Sequence, residues 1–157
     1  VALEIGDAAP DFDLPDADGN RFKLSELKGQ RVVLYFYPRD NTPGCTKEAC
    51  GFRDAYGDYQ GQAVVVLGVS ADDAKAHTKF VTKHDLPFPL LVDEGGTIAA
   101  SYGSYGLKKF MGKEFMGVFR HSFIIGPEGT LEKIYRKVKP EPHAREVLND
   151  LAELTAT

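Results

Sequence analysis

Residues 31–50 read RVVLYFYPRDNTPGCTKEAC, and this stretch decides the fold. Arg31-Val32-Val33-Leu34-Tyr35-Phe36-Tyr37 is a β-branched and aromatic run between Gly29 and Pro38, the pattern of a buried central strand. Thr42 and Pro43 then mark a helix start, because Thr caps well and Pro suits the first helical position. The helical segment is predicted over residues 45–59, and a second apolar run, AVVVLGV at 63–69, follows it. Strand, helix and strand of these lengths predict a βαβ unit with parallel strands and a right-handed crossover.

Working outward, Ser70-Ala71-Asp72-Asp73 predicts a helix capped by Ser70 or Asp72 and running to about His84. Ala76, Phe80 and Val81 are its apolar marks. Residues 88–92 form a short strand between Pro87 and Asp93, and residues 96–102 a short helix. Residues 118–125 and 130–137 flank Gly126-Pro127-Glu128-Gly129, a hairpin signal. A last helix starts near Glu141, with Ala144, Val147, Leu148, Leu151 and Leu154 on one face. Near the start, Asp16-Ala17-Asp18-Gly19-Asn20 lies between Phe12/Leu14 and Phe22/Leu24 and predicts a small hairpin. The order matches an α/β thioredoxin-like fold: a central mixed sheet, flanking helices and an N-terminal β-hairpin extension. With no repeat, linker or low-complexity tract, residues 1–157 read as one domain.

The 157 residues suit one core, and 43% hydrophobic with 27% charged is an ordinary globular composition. A net charge of −4 argues against a nucleic-acid partner. No apolar run approaches the ~20 residues of a membrane span. Residues 1–7 lack the charged and apolar regions of a signal peptide, so the expected location is the cytoplasm. A leader removed beforehand would leave the same sequence. Two cysteines are too few for a disulfide scaffold, and a chain this long needs no staple. The pair is therefore read as functional.

With Thr42 as N-cap, Pro43, Gly44 and Cys45 occupy the first three helical positions. The Cys45 sulfur then lies beside unpaired backbone N–H groups at the positive end of the helix, a setting that favours thiolate over thiol. Gly44 leaves the approach to it uncluttered. Cys50 follows five residues on, inside the same helix. Ideal helix geometry separates the two Cα atoms by ~8.6 Å and ~140° around the axis. A disulfide needs Cα atoms within ~7 Å. Either the two never bond, or the first turns unwind when they do.

Other candidates read more plainly. Asp16, Asp18 and Asn20 hint at a calcium loop, but Arg21 and Leu27 stand where glycine and glutamate are needed. The C-x-x-x-x-C spacing has no His at ligand distance, so no metal or other cofactor is expected. Glu48, one turn after Cys45, is either an exposed helix carboxylate or a partner of Arg120 or another cation. Lys108, Lys109 and Lys113 read as a solvated face around a mobile loop holding Phe110, Met111, Phe115 and Met116, the alternative being that these apolar residues border a substrate pocket or a partner's docking surface. His77, His84 and His143 read as surface helix residues. Arg120 stands in an otherwise apolar strand, where a charge is costly unless paired, and a thiolate is a suitable partner. His121 would point to the opposite strand face and is expected to be structural.

Pro38, Thr42 and Cys45 match the P-x-x-x-T/S-x-x-C signature of peroxiredoxins, and C-x-x-x-x-C resembles the PrxQ, or bacterioferritin comigratory protein, subgroup. The opening Gly6-Asp7-Ala8-Ala9-Pro10-Asp11-Phe12, residues 24–28, KKFMGKEFMG at 108–117 and RHSFII at 120–125 are similar to it as well. The resemblance implies a peroxidase in which Cys45 attacks the O–O bond of hydrogen peroxide or an organic hydroperoxide. Thr42 would hydrogen-bond to the sulfur and the peroxide, Pro38 would shield the pocket, and Arg120 would be the active-site arginine. Cys50 would resolve the Cys45 sulfenic acid as a disulfide, and thioredoxin or a similar thiol reductant would restore both thiols. It also implies a monomer. A redox switch or a dithiol exchanger is the alternative, but an exchanger has no need of Thr42 or Arg120.

Overall fold

The computed structural model describes residues 2–155. The single domain expected over 1–157 thus includes residues 1, 156 and 157, which lie outside the described residues. Strands β1 (Asp13–Pro15) and β2 (Arg21–Lys23) form the predicted N-terminal hairpin. Asp16 closes its turn, accepting from the backbone N–H groups of Asp18 and Asn20, so this carboxylate shapes a loop.

The strand β3 (Arg31–Phe36), helix α1 (Pro43–Asp54) and strand β4 (Val64–Ser70) form the predicted βαβ unit, with β3 and β4 parallel. One correction falls between them. The helical segment over 45–59 is two helices, because Ala55 (φ −96°, ψ 2°) breaks it and α2 (Tyr56–Gly61) follows. Helix α3 (Ala74–His84) is capped by neither Ser70 nor Asp72. Asp73 is its N-cap, accepting from the Ala76 N–H at 2.8 Å. The Ser70 hydroxyl donates to Asp72, which also accepts from the Asp40 backbone N–H.

Strand β5 (Leu90–Val92) begins two residues later than expected, and α4 (Thr97–Ser101) lies inside the predicted short helix. The next stretch departs most. The expected mobile loop is a hairpin of β6 (Tyr105–Phe110) and β7 (Lys113–Val118), closed at Met111 (φ 51°) and Gly112 (φ 76°). The strand predicted over 118–125 therefore splits: Val118 ends β7, His121 starts β8 (His121–Ile125), and Phe119 and Arg120 form the bend between. β8 and β9 (Leu131–Tyr135) form the predicted hairpin, and α5 (His143–Thr155) closes the chain.

The main sheet has order β5-β4-β3-β8-β9, parallel across β5-β4-β3 and antiparallel across β3-β8-β9. This is the thioredoxin-like arrangement. β3 is central, and its alternate residues face two cores. Val33, Tyr35 and Tyr37 pack with α1, α3 and α5, whereas Val32, Leu34 and Phe36 pack with Phe12, Leu14 and Tyr102. Gly68 pairs with Tyr35 across β3 and β4, and a Cβ there would stand 2.9 Å from the Tyr35 ring and 2.7 Å from Leu90. The missing side chain is what lets that ring lie flat against Phe52, 4.7 Å away.

Two of the three helix histidines are buried rather than at the surface. His77 is 0% and His143 1% exposed, since each finds polar partners inside. His143 Nε2 meets Ser122 Oγ at 2.8 Å and Nδ1 meets Glu146 Oε1 at 2.9 Å, joining α5 to β8. Burial lowers its affinity for a proton, Arg120 adds to this, and Glu146 opposes it. Among the described residues no helix is long and apolar enough to cross a membrane.

Candidate active site

Thr42 is the N-cap of α1, and Pro43 opens the helix as predicted. The Thr42 hydroxyl donates to the Arg39 carbonyl at 2.8 Å rather than to the helix. Its proton being committed there, the oxygen is left to accept from a bound group. Pro38 is half-buried at the exit from β3, where the chain turns toward α1.

Helix α1 buries Cys45, Glu48, Ala49 and Phe52, a stripe at helical spacing facing β3. Cys45 is 1% exposed. Cys50 lies off that stripe, half-buried, and both thiols are free. An unbroken helix from Pro43 to Asp54 contains both, so the reduced pair has the geometry in which no disulfide forms.

Arg120 reaches this helix from the bend between β7 and β8. Its Nη2 donates to Cys45 Sγ at 3.4 Å and its Nη1 to Glu48 Oε1 at 2.7 Å. The irregular backbone matters: a residue inside a flat strand would point squarely out of the sheet, whereas this bend aims the guanidinium at the first turns of α1. The question over Glu48 is thereby decided. It is fully buried and paired with Arg120, and its Oε2 has no hydrogen-bond partner among the described residues. Burial pushes its carboxyl up to about 7 and Arg120 only partly offsets this. Arg120 itself would be weakened as a cation by burial, but Glu48 and Cys45 more than restore its proton.

Gly44 also makes room for Arg120. A Cβ there would sit 3.0 Å from Arg120 Nη2, so the space beside Cys45 belongs to the guanidinium. Lys108, expected on a solvated face, is half-buried with its ammonium on the Val118 carbonyl at 3.0 Å. Burial and then Arg120 make it a weaker base, while Cys45 acts in the opposite sense. Lys109 is exposed and paired with Glu114. His121 Nδ1 lies 2.9 Å from Ser104 Oγ. Burial and the Arg136 charge lower its proton affinity. Tyr35 lies under the site and is held neutral, first by burial and then by Glu48 and Cys45.

A buried thiol at a helix N-terminus, held by an arginine on a thioredoxin-like sheet, defines a thiol redox enzyme. The AhpC/TSA family model matches residues 5–134, and the chain belongs to that family. It is 46% identical over 151 residues to the putative peroxiredoxin bcp of Coxiella burnetii, spanning 96% of this chain and 100% of that one. It is likewise 46% identical over 155 residues to peroxiredoxin Bcp of Bacillus subtilis, spanning 99% of each. A crystal structure of a Cys-to-Ser mutant of Xylella fastidiosa PrxQ matches with a TM-score of 0.92 at 32% identity, covering 98% of both chains. Within the family the chain is thus a peroxiredoxin of the PrxQ, or bacterioferritin comigratory protein, group. It is a thiol-dependent peroxidase, an oxidoreductase taking a peroxide and a thiol reductant.

Proposed function

We propose that Cys45 is the peroxidatic residue, activated by Arg120 and the α1 N-terminus, and that Cys50 resolves it. The Arg120 fork on Cys45 and Glu48 carries this reading. The Cys45 thiolate attacks one peroxide oxygen, forming an S–O bond as the O–O bond breaks. The departing oxygen leaves as hydroxide or alkoxide and takes up a proton. Arg120 stabilises negative charge on the sulfur before the step and on the departing oxygen after it. The Thr42 hydroxyl oxygen accepts from the peroxide O–H, and Pro38 limits water at the sulfur.

Cys45 is then a sulfenic acid. The Cys50 thiol condenses with it, forming the S–S bond and releasing water. Because α1 holds the two apart, its first turns unwind for this step. A dithiol protein of the thioredoxin type reduces the disulfide and returns both thiols.

Hydrogen peroxide and organic hydroperoxides are both proposed substrates. The Xanthomonas campestris bacterioferritin comigratory protein, 34% identical with a TM-score of 0.88 over 97% of both chains, is described with alkyl peroxide reduction activity. Residues 1–157 are proposed to form one domain acting as a monomer in the cytoplasm, without nucleic-acid or membrane partners.

Stopped-flow consumption of peroxide by the reduced protein tests the roles. Cys45→Ser should abolish it. Cys50→Ser should still consume about one equivalent and then accumulate sulfenic or over-oxidised Cys45 by mass spectrometry. Consumption that persists in Cys45→Ser would remove the reading.

A further inference from the structure

The loop entering α1 is tied down by a buried polar cluster that the peroxidase chemistry leaves unused. Asp40 is 8% exposed and stands just before the first turn of α1. Its Oδ1 accepts from the Tyr37 hydroxyl at 2.5 Å, and its Oδ2 lies 2.5 Å from His77 Nδ1. Its backbone N–H donates to Asp72 Oδ2 at 2.8 Å, and that oxygen also accepts from the Ser70 hydroxyl at 2.7 Å. His77 Nε2 lies 2.8 Å from the Leu91 carbonyl. Asp40 thus ties the ends of β3 and β4 to α3 through its side chain and backbone N–H, and His77 carries the link on to β5.

The protonation follows from the partners. A carbonyl only accepts, so Nε2 carries a proton. Nδ1 and Asp40 Oδ2, 2.5 Å apart, share a further proton between them. Through that shared proton His77 and Asp40 compensate each other inside the protein. Burial alone would strip the His77 proton, but the Asp40 hydrogen bond and charge, the Leu91 carbonyl and Asp72 hold it more tightly than usual. Directly after this anchor, exposed Asn41 has φ 62°, a left-handed conformation that Asn tolerates and that a pivot can use.

We propose that Asp40 and His77 are positioning residues of the peroxidase cycle, a hydrogen-bonded clamp that fixes the chain before Asn41 while the first turns of α1 open. The proposal rests on the Cys45–Cys50 disulfide proposed above. With the clamp closed in both states, movement is confined to residues after Asp40. Cys45 therefore returns to Arg120 when the disulfide is reduced.

Nitrogen-15 NMR of the whole protein reports on the clamp directly. The His77 ring N–H signals should be slow to exchange in the reduced form and unchanged in the peroxide-treated form, while amides of residues 43–50 shift. His77 signals that move or broaden along with those amides would overturn the clamp. Mass spectrometry of the same sample separates the failures: a missing Cys45–Cys50 disulfide overturns the resolving step and the clamp's role with it, whereas a disulfide with a disturbed His77 overturns the clamp alone.

Variants give a second arm. His77→Asn keeps a donor toward Asp40, and His77→Leu only fills the space. Single-turnover oxidation of Cys45 should slow about tenfold or more in the Leu variant and return to within about threefold of the original in the Asn variant. Equal loss in both, or loss in neither, would overturn the proposal. The NMR arm decides without any variant, including where His77→Leu fails to fold.

Discussion

Arg120 Nη2 lies 3.4 Å from the Cys45 sulfur, although the two residues are far apart in sequence and sit on different elements. The same guanidinium holds Glu48 through its other nitrogen. Two residues one turn apart on α1 are thus gripped by one planar fork, which sets where the sulfur points as well as the charge beside it.

A lysine cannot reproduce that fork. Arg120→Lys should lower the second-order rate of Cys45 oxidation by about 10²–10³, read by stopped flow, because a donor aimed at developing charge is lost. A rate within about threefold of the original would remove Arg120 from the reacting centre.

Glu48 links the site to stability. Its carboxyl titrates at about 7 in the folded chain against 4.5 as the reference. The folded state therefore holds a proton that the unfolded state has released, and this contribution is complete below the reference value. It is lost as pH rises through the folded value. Between about pH 5 and pH 8 the loss is ~2–3 kcal/mol, from ~1.4 kcal/mol per unit of difference. Urea unfolding of Glu48→Gln should lack this part of the decline. Parallel pH dependences in the two proteins would contradict it.

Gly44→Ala places a methyl 3.0 Å from Arg120 Nη2. The guanidinium is the end of a flexible side chain and can yield by a few tenths of an ångström. Thermal stability should change little, while peroxide turnover drops about tenfold as the fork leaves its angle on the sulfur. Unchanged turnover would show that the fork tolerates displacement.

Gly68→Ala acts on the core instead. The new Cβ meets Leu90 at 2.7 Å and the Tyr35 ring at 2.9 Å. Overpacking of this kind costs ~1–3 kcal/mol, which denaturant midpoints would register. A neutral result would show that Tyr35 has room to move.

The reach of the sequence can be judged residue by residue. The strand, loop and helix carrying Cys45 were legible because their signals are local: a β-branched run, a Thr cap and a Pro in the first helical position. The β6–β7 hairpin was not, because its exposed Phe110 and Met116 blur the alternation and its turn is Met-Gly rather than Asn-Gly. Gly112 between Phe110 and Lys113 was the available signal. Missing that hairpin put Arg120 inside a strand, though its pairing with the thiol was still readable from the cost of a lone charge. Arg120 for Glu48, Asp40 and Leu91 for His77, and Ser122 for His143 come from distant elements, so nothing near these residues in sequence announces burial. His77 two residues after Lys75 and one before Thr78 looks like a solvated face until Asp40 and Leu91 are brought against it.

The most direct measurement is amide hydrogen exchange over residues 43–52, with disulfide mapping, before and after about one equivalent of peroxide. The expected result is a Cys45–Cys50 disulfide together with loss of protection across the first turns of α1, reversed when the disulfide is reduced. Peroxide consumed with Cys45 still a free thiol, or a disulfide formed with exchange unchanged across 43–52, would contradict it.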